Sequence, residues 1–557
     1  MNTRKMRFLP LFLLTLTSLC SCQGGGINSS SSETSPEVDS SFFETSEDEE
    51  LIHLEDDKSE QYVFADSSNE NGSMNYEIFV RSFYDSDGDG VGDLNGVKEK
   101  LPYICDMGFK TIWMMPIFPS PSYHGYDVTN YYSVNPDYGT LDDFDALVIE
   151  ASKYNIDIML DMVFNHCSIK NPYFAESFQD YKSNNVSVSS KADWFNWGPG
   201  GQHQYQGVSY ESRFDAGMPD FNLDSEGVRK EIEAITKFWI GHGVKGFRLD
   251  AVLYYYYQNT TKNVEFLTWL KEVATKYDPS FYMVGECWAS DPLVNDYYES
   301  TCDSFFRFGN ATGGDANMIN MVKGYGNCEN FAVTVEGNEK DIHKRNPNGY
   351  SSYFLSNHDQ DRVSKNFESN MNVYKAAVSL YTLLPGNSYT YYGEEISLRG
   401  VRVTSPKDDG SDVRRRLPMV WSKNDKKGEC SFPEKNRQDL NNNKQVELGV
   451  NDQLKDGFSL LNHYKMLIHL RNKYSFIKHA TFSSRMLAIN TEETSVLAYS
   501  LKNGSDSIAI VHNFSPKNVE VNAPGSQILD EINVSHKKPA LVNGKLRLGA
   551  YSSVILK

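Results

Sequence analysis

The sequence predicts an α/β fold, a closed (β/α)8 TIM barrel with a small inserted domain and a C-terminal β-sandwich. Three observations support this prediction. Short apolar segments alternate eight times with segments of helical periodicity, one connection is far longer than the others, and the end of the chain changes to short alternating strands. In such a barrel the working residues lie at the carboxyl ends of the strands, so function is expected there.

Eight apolar segments predict the barrel strands. They cover residues 76–81, 111–115, 156–164, 246–249, 281–285, 304–308, 352–355 and 388–392. Helical periodicity follows in segments such as 141–154 and 228–242, and Thr140 with Asp143 forms a capping-box pattern before the first of these. Because a parallel strand needs a crossover to reach its neighbour, this alternation favours a closed parallel barrel.

The long connection follows the third strand. About sixty residues separate that strand from the helix that begins near Ser225, whereas such loops usually span about six. We therefore expect an inserted domain over residues 167–218, within a catalytic barrel formed by 73–166 and 219–478. After a last helix over 457–474, alternating strands over 496–501, 507–514 and 551–556 predict a β-sandwich over 479–557.

The amino end has the pattern of an export signal. Basic residues precede an apolar stretch that is too short to span a bilayer, and Ser21-Cys22 completes a pattern similar to a bacterial lipobox. We expect residues 1–22 to be a lipoprotein signal peptide and Cys22 to carry the lipid. The protein would then be exported and anchored in the cell membrane or the outer membrane, facing the cell exterior.

A polar segment over residues 23–72 predicts a disordered acidic tether, because it has too few apolar side chains to offset the entropy of ordering. The chain has a formal net charge of −20, and residues 33–60 hold twelve acidic side chains against one lysine. The remaining acidic body has no basic stripe, which argues against nucleic acid as a partner. The spacing of the cysteines matches no metal-binding signature, and it leaves open a disulfide between Cys302 and Cys328. We expect the protein to be a monomer.

An acidic loop follows the first strand. Asp85, Asp87, Asp89 and Asp93 are spaced so closely that their carboxylates would repel one another strongly without a hard cation between them. Oxygen ligands in this number suit calcium. We expect these four side chains and the carbonyl of Val91 to bind calcium, with a solvated acidic loop as the alternative.

Two neighbouring strands end in carboxylates. Residues 246–249 lead into Asp250, residues 281–285 lead into Glu286, and Arg248 precedes Asp250 by two positions. Side chains alternate along a strand, so Arg248 and Asp250 are expected on one side. Because glycosidic bonds are usually cleaved by a pair of carboxyl groups, this pattern suggests glycosyl transfer. Two chance acids at strand ends are the alternative.

Histidines stand at two further strand ends. His166 follows the third strand, and His358 with Asp359 follows the seventh. A lone histidine is more often structural, but two of them in one barrel beside a third carboxylate favour a sugar site. We expect neutral imidazoles that donate hydrogen bonds to sugar hydroxyls, with Asp359 binding a pair of hydroxyls.

Seven motifs together resemble the α-amylase family of glycoside hydrolases, and the resemblance extends over residues 75–557. In order they are His124-Gly125-Tyr126-Asp127, residues 161–166, Met218-Pro219-Asp220-Phe221-Asn222, residues 246–251, Gly285-Glu286, Asn357-His358-Asp359 and Tyr391-Tyr392-Gly393-Glu394-Glu395. One such motif is weak evidence, whereas seven in order are specific. The third resembles the type intermediate between oligo-1,6-glucosidases and neopullulanases.

The resemblance implies a role for individual residues. Asp250 would be the nucleophile, Glu286 the general acid/base, and Asp359 the third carboxylate, which holds the distorted sugar. The implied substrate-binding residues are Tyr126, His166, Arg248, His358 and Arg416. In the calcium-dependent members a second calcium binds at positions that are Asn165, Asp220 and the carbonyl of Tyr254 here, although residue 254 departs from the usual histidine.

The implied activity is retaining hydrolysis of α-1,4-glucosidic bonds in starch, maltodextrins and related α-glucans by an endo-acting enzyme at the cell surface. An exo-acting α-glucosidase or oligo-1,6-glucosidase, and a maltodextrin transglycosylase, stay open because loop shape controls access of chain ends and water. The alternative from another class is a glycan-binding lipoprotein without turnover.

Overall fold

The structure is a computed structural model that describes residues 52–65, 72–185, 187–311, 317–402, 410–432 and 446–557. The predicted signal peptide, its lipidation site Cys22 and the tether as far as residue 51 lie outside the described residues. Within the described part of the chain, no helix has both the length and the apolar character needed to cross a bilayer.

The described residues contain eighteen strands. In chain order they are β1 Met74–Ile78, β2 Thr111–Met114, β3 Asp157–Met162, β4 His203–Tyr205, β5 Val208–Tyr210, β6 Gly246–Leu249, β7 Tyr282–Gly285, β8 Ser304–Phe306, β9 Tyr350–Phe354, β10 Asn387–Tyr391, β11 Thr481–Ser484, β12 Val496–Asn503, β13 Asp506–Asn513, β14 Val519–Asn522, β15 Ile528–Ile532, β16 Ala540–Val542, β17 Lys545–Leu548 and β18 Ser553–Leu556.

The α-helices of the same residues connect and cover these strands. They are α1 Leu94–Glu99, α2 Leu101–Met107, α3 Leu141–Lys153, α4 Pro172–Ser183, α5 Glu226–Gly241, α6 Thr260–Tyr277, α7 Asp291–Asp296, α8 Phe308–Ala311, α9 Met318–Val322, α10 Cys328–Arg345, α11 Met371–Leu383, α12 Gly410–Val413, α13 Val450–Gln453, α14 Leu460–Lys473 and α15 Met486–Ile489. The predicted capping box is present at α3, where Thr140 and Asp143 bond to each other's backbone N–H.

The predicted barrel is confirmed. Strands β1, β2, β3, β6, β7, β8, β9 and β10 pair in that order, all parallel, and β10 returns to β1. Each predicted strand overlaps one of them. The first is shorter than predicted because the chain turns into a 3-10 helix at Val80–Ser82.

Two apolar layers hold the barrel together. Large side chains that include Trp113, Met159, Val284 and Phe354 fill its interior. A larger cluster, to which Phe247 and Leu249 belong, fills the space between strands and helices. Because neighbouring residues of β6 therefore face opposite sides, Arg248 shares its side with the interior and with the cleft above it.

The long connection after β3 contains α4 and the hairpin β4–β5. Its core is aromatic: the ring of Phe174 lies 4.9–5.2 Å from the rings of Phe195, Trp197, Tyr205 and Tyr210. These rings belong to, or pack against, the same buried cluster as the apolar residues between the barrel strands and helices, so the insertion packs as an extension of that core. Its predicted limits, residues 167 and 218, stay a prediction.

The C-terminal residues form the predicted sandwich. A five-stranded antiparallel sheet in the order β11-β12-β13-β18-β15 and a three-stranded sheet in the order β14-β17-β16 enclose an apolar core. Val511 and Val554 come from the first sheet, and Val521 and Leu548 from the second. The described cysteines are all free, so Cys302 and Cys328 do not form a disulfide.

The tether prediction is wrong for residues 52–65, which lie on the folded body. Tyr62 is only 5% exposed, and its ring lies 5.1 Å from that of Phe458 and 5.2 Å from that of His463. The Asp57 N–H donates to the carbonyl of His536 at 2.8 Å. The average composition of residues 23–72 predicts disorder and does not reveal that the single buried side chain of Tyr62 holds residues 52–65 on the folded body.

Candidate active site

A cleft of about 680 Å³ opens at the carboxyl ends of the barrel strands. Asp250 follows β6, Glu286 follows β7 and Asp359 follows β9, and all three line the cleft. The predicted sugar-binding residues Tyr126, His166 and Arg416 line it as well. The remaining two, Arg248 and His358, are almost fully buried beneath it. The structure thus brings together every residue predicted for catalysis or substrate binding.

One guanidinium joins the carboxylates on one side of this site. NH1 of Arg248 lies 2.7 Å from Oδ1 of Asp161 and 2.7 Å from Oδ1 of Asp250, and NH2 lies 3.1 Å from Oε2 of Glu286. The strand register explains this arrangement, since Asp161 on β3 pairs directly with Arg248 on β6. Arg248 therefore serves three acids, whereas the sequence predicted only its contact with Asp250.

Burial and charge act in opposite directions on these acids. Burial raises the pKa of Asp250 to about 6, while Arg248 acts to lower it. Burial also raises the pKa of Glu286, and the neighbouring Asp250 and Asp359 charges add to this effect against Arg248. The Glu286 carboxylate accepts one backbone hydrogen bond, from the N–H of Ala251 at 2.9 Å. A raised pKa favours the protonated form, which a general acid requires.

Asp359 has the opposite surroundings. Its Oδ2 lies 2.9 Å from Nε2 of His358, and its Oδ1 accepts from NH2 of Arg416 at 2.9 Å. Burial acts to raise the pKa of Asp359, but His358 and Arg416 outweigh it and hold the pKa well below its usual range. Asp359 is therefore a fixed carboxylate at any ordinary pH.

The two histidines differ from each other. Burial lowers the pKa of His166 to about 3, so its imidazole is neutral as predicted. Its Nε2 is buried and has no hydrogen-bond partner among the described residues, which leaves it available to a ligand hydroxyl. For His358 the prediction of a neutral imidazole is wrong. Burial acts to lower its pKa, but the carboxylates of Asp359 and Glu77 outweigh it and raise the pKa to about 10.

Tyr126 connects the two sides of the site. Its hydroxyl lies 3.0 Å from Oδ2 of Asp161 and 2.7 Å from Nε2 of His358. Its ring lies nearly parallel to the His358 imidazole, with the ring centroids 5.7 Å apart. The hydroxyl network keeps the ring in place at the edge of the cleft.

Sequence reasoning did not assign four residues that the structure places here. Asp161 and Glu77 are acids inside otherwise apolar strands, and this was a usable signal, because a buried charge needs a partner. Trp288 and Phe214 line the cleft with exposed rings, and Trp288 is 47% exposed. Nothing in the local sequence separates these two aromatic residues from ordinary core residues.

The acidic loop after β1 gathers three of its four aspartates. Carboxylate oxygens of Asp85, Asp87 and Asp89 come within 4.8 Å of one another, and this set of hard oxygen donors fits calcium. Asp93 does not belong to this group. Its carboxylate caps α1 by accepting from the N–H of Gly96 at 2.7 Å, and it also accepts from Ser86. A place for Val91 among the ligands stays a prediction.

Two of the three donors of the second predicted calcium site, Asn165 and Asp220, contact each other. The side-chain amide of Asn165 donates to Oδ1 of Asp220 at 3.1 Å, and the N–H of Arg213 donates to Oδ2 at 3.1 Å. Burial and the nearby Glu211 raise the pKa of Asp220 to about 7. Tyr254 packs its ring on Phe214 at 4.6 Å. One carboxylate that already has two donors is a weaker set than the loop after β1.

Carboxyl groups gathered at the carboxyl ends of parallel barrel strands are the arrangement that a glycoside hydrolase requires. Comparison with known proteins agrees. The α-amylase catalytic domain matches residues 77–480, and the C-terminal domain of α-amylase SusG matches residues 496–555. The chain belongs to the α-amylase family and is a glycoside hydrolase.

Three relatives illustrate this membership. α-Amylase 3 of Dictyoglomus thermophilum is 35% identical over 496 residues, which cover 86% of this chain and 92% of the relative. Oligo-1,6-glucosidase of Parageobacillus thermoglucosidasius is 26% identical, with coverage of 79% and 90%. The solved structure of Amy13B from Eubacterium rectale superposes with a TM-score of 0.80 at 33% identity and covers 89% of this chain and 99% of that one. Both α-amylases and oligo-1,6-glucosidases are thus among the relatives, consistent with the intermediate type.

Proposed function

We propose that the protein hydrolyses α-1,4-glucosidic bonds within starch, maltodextrins and related α-glucans and retains the anomeric configuration. The observation that supports this most is the shared guanidinium of Arg248, which contacts both Asp250 and Glu286 at the floor of an open cleft. This guanidinium holds the two carboxylates on one side of the cleft. Membership of the α-amylase family supports the retaining mechanism, in which one of them acts as the nucleophile.

In this mechanism Asp250 is the nucleophile and Glu286 is the general acid and then the general base. Glu286 protonates the leaving oxygen while Asp250 attacks the anomeric carbon and forms a covalent glycosyl-enzyme. Glu286 then takes a proton from the water that attacks this intermediate. Arg248 stabilises the ionised form of Asp250, and burial raises the pKa of Glu286, which favours the protonated form that the first step needs.

Asp359 and its neighbours hold the sugar at the cleavage site. Because both of its oxygens are fixed by cationic partners, the remaining lone pairs of Asp359 face the cleft and accept from sugar hydroxyls. The unpaired Nε2 of His166 supplies a further polar contact, and the ring of Tyr126 supplies an apolar surface.

Endo action is the finer part of the proposal. Trp288 and Phe214 line the cleft with exposed rings, which can stack on glucose units beyond the cleavage site. Aromatic rings at these positions suit an α-glucan chain that extends through the cleft on both sides of the cleaved bond. An exo-acting α-glucosidase is the second candidate, because an oligo-1,6-glucosidase is among the relatives.

Product analysis on amylose with blocked ends tests this proposal. We expect fragments of several lengths with α-configured new ends from the wild-type protein, and none from Asp250→Asn. Glucose or maltose from short oligosaccharides, with the blocked polymer intact, would favour the exo-acting glucosidase. Newly formed longer oligosaccharides would instead indicate transglycosylation, and binding without cleavage would contradict the enzymatic proposal.

We further propose that the enzyme acts as a monomer on the outer face of the cell, attached through a lipid on Cys22. The support is the lipobox-like Ser21-Cys22 sequence after the apolar signal. Wild-type protein should sediment with membranes and digest external starch, whereas Cys22→Ala should leave the membrane fraction. An unchanged distribution of the variant would contradict lipid anchoring.

Calcium binding by the loop after β1 is also part of the proposal. Asp85, Asp87 and Asp89 would hold the ion, which would supply charge neutralisation for the loop and no catalytic step. The loop contacts residues 428–431: the N–H of Asp85 donates to Gly428 at 3.1 Å and that of Ser431 to Gly90 at 2.8 Å. Chelation should lower the unfolding temperature by several degrees, with recovery in calcium. No change after chelation, or in Asp87→Asn, would contradict the site.

A further inference from the structure

Strand β1 places one acid beneath the active site. Glu77 is 1% exposed, and its Oε1 lies 2.5 Å from Nδ1 of His358. The other ring nitrogen of His358, Nε2, lies 2.9 Å from Oδ2 of Asp359. A single imidazole thus lies between a carboxylate in the barrel wall and a carboxylate in the cleft.

We propose that Glu77 is a positioning residue that holds His358 as an imidazolium with both ring N–H groups donating, and thereby fixes Asp359 for sugar binding. This inference rests on the proposed role of Asp359. It adds Glu77, a buried residue on the first barrel strand, to the residues that support the reaction.

The protonation state follows from the two contacts. A neutral imidazole has one N–H, so one of its two carboxylate contacts would place a nitrogen lone pair against an oxygen lone pair. An imidazolium avoids this repulsion, because Nδ1–H donates to Glu77 and the positively charged Nε2–H faces both the Tyr126 hydroxyl and the Asp359 carboxylate. Among the described residues, Glu77 is the only hydrogen-bond partner of Nδ1. The raised pKa of His358 agrees with this reasoning from geometry.

The other groups around His358 are compatible with a cation. The Tyr126 hydroxyl, 2.7 Å from Nε2, can accept from it while donating to Asp161. The Trp113 ring is edge-on to the imidazole at 5.7 Å. The charged and titratable groups that face the pair from the packed elements are Asp359, Asp161, Glu394, Tyr126, Tyr391, Arg248 and Arg416.

The two nearby arginines do not replace His358. Arg248 binds Asp161, Asp250 and Glu286, and Arg416 binds the other oxygen of Asp359. Without the carboxylate at position 77, the imidazole would be free to lose a proton or to turn. Asp359 would then keep Arg416 as its one cationic partner, and its Oδ2 would lose its fixed donor.

Histidine-selective labelling and NMR test the charge state directly. The His358 signal is assigned by its absence in His358→Asn and is followed from pH 5.5 to 9. We expect it to stay protonated up to pH 8 in the wild-type protein and to titrate within this range in Glu77→Gln, a downward pKa shift of two units or more. The exposed Glu226→Gln is the matched control, and it should leave His358 unchanged.

Kinetics supply the second readout. In Glu77→Gln, kcat/KM should fall as pH rises through the lowered pKa of His358, so the alkaline limb moves to lower pH by at least one unit. Glu77→Asp, which retains a carboxylate, should recover part of this shift, whereas a purely structural role would give the same pH profile in both variants.

The outcomes separate this inference from the proposed function. A wild-type His358 that titrates near pH 6.5 would overturn the inference even if the enzyme hydrolyses starch, and it can be measured even if Glu77→Gln does not fold. A wild-type protein that is inactive but in which His358 stays charged would overturn the proposed function, while the inferred charged pair of Glu77 and His358 would stand. An unchanged His358 titration in folded Glu77→Gln would also overturn the inference.

Discussion

Two aspartates of one active site have opposite surroundings. Asp250 shares the single cation Arg248 with two other acids, whereas Asp359 contacts two cations, Arg416 and His358, of which only His358 is shared with another acid, Glu77. Burial consequently raises the pKa of Asp250 to about 6, while the pKa of Asp359 stays well below its usual range. The ratio of cations to carboxylates, rather than residue type, thus sets the chemistry of each acid.

The same comparison explains Glu286. It is another of the acids that share Arg248, which lies 3.1 Å from it, and burial raises its pKa. The pKa of Glu286 is therefore raised where one cation is shared, whereas two cations hold the pKa of Asp359 low. The site therefore places a proton donor (Glu286), a nucleophile (Asp250) and a permanently ionised carboxylate (Asp359) around the same cleft.

Removing the proton donor should have the largest effect. Glu286→Gln should lower kcat on starch by about 10²- to 10⁴-fold, because it abolishes proton transfer to the leaving oxygen. An α-glycosyl fluoride, whose leaving group needs no proton, should still react in the first step. Equal losses on both substrates would contradict the role of Glu286 as an acid. The exposed Glu299→Gln serves as the matched control.

Removing one of the two cations at Asp359 should have a smaller effect. Arg416→Gln should lower kcat/KM by about 10- to 100-fold, since it removes one charge-assisted hydrogen bond of about 1.5–3 kcal/mol. His358 should keep Asp359 ionised, so the acid limb of the pH profile should not move. A shift of that limb would show that Asp359, and not Asp250, sets it.

The acid limb of the pH profile of kcat/KM should report the protonation of Asp250, the aspartate that shares Arg248 with other acids. Asp250 must be ionised to attack, and its pKa is raised to about 6, so kcat/KM should fall as pH drops through this value. Below it, the decrease should approach about tenfold per pH unit. Asp359 remains ionised and contributes nothing to this limb. A rate that stays flat down to pH 4.5 would contradict the raised pKa of Asp250.

Substitution of an aromatic residue that lines the cleft should have the smallest effect. Trp288→Ala removes an exposed ring from the cleft but leaves both carboxylate groups intact. On long substrates KM should rise about 2- to 10-fold, consistent with about 0.5–1.5 kcal/mol for one aromatic platform, and kcat should change little. A loss of kcat similar to that of Arg416→Gln would mean that Trp288 supports the catalytic carboxylates.

The fold was largely predictable because eight strand-like segments alternate with helical periodicity, and the carboxylates at the strand ends share one face by topology alone. Segment 52–65 was not predictable from composition, since one buried tyrosine anchors it. Glu77 and the charge of His358 were also missed. The His358 ring lies between Glu77 on β1 and Asp359, which follows β9. A buried acid in a strand indicates that it has a partner, but the local sequence does not show which distant residue that partner is.

Mass spectrometry of a trapped intermediate tests the central claim most directly. In Glu286→Gln, an α-maltotriosyl fluoride can glycosylate the nucleophile, but the loss of the general base slows release, so the covalent intermediate should accumulate. We predict that the peptide containing Asp250 gains the mass of one maltotriosyl group and that Asp250→Asn shows no adduct. A glycosylated peptide that contains another acid would contradict the assignment of Asp250 as the nucleophile. Turnover with β-configured product and no adduct would contradict the retaining mechanism itself.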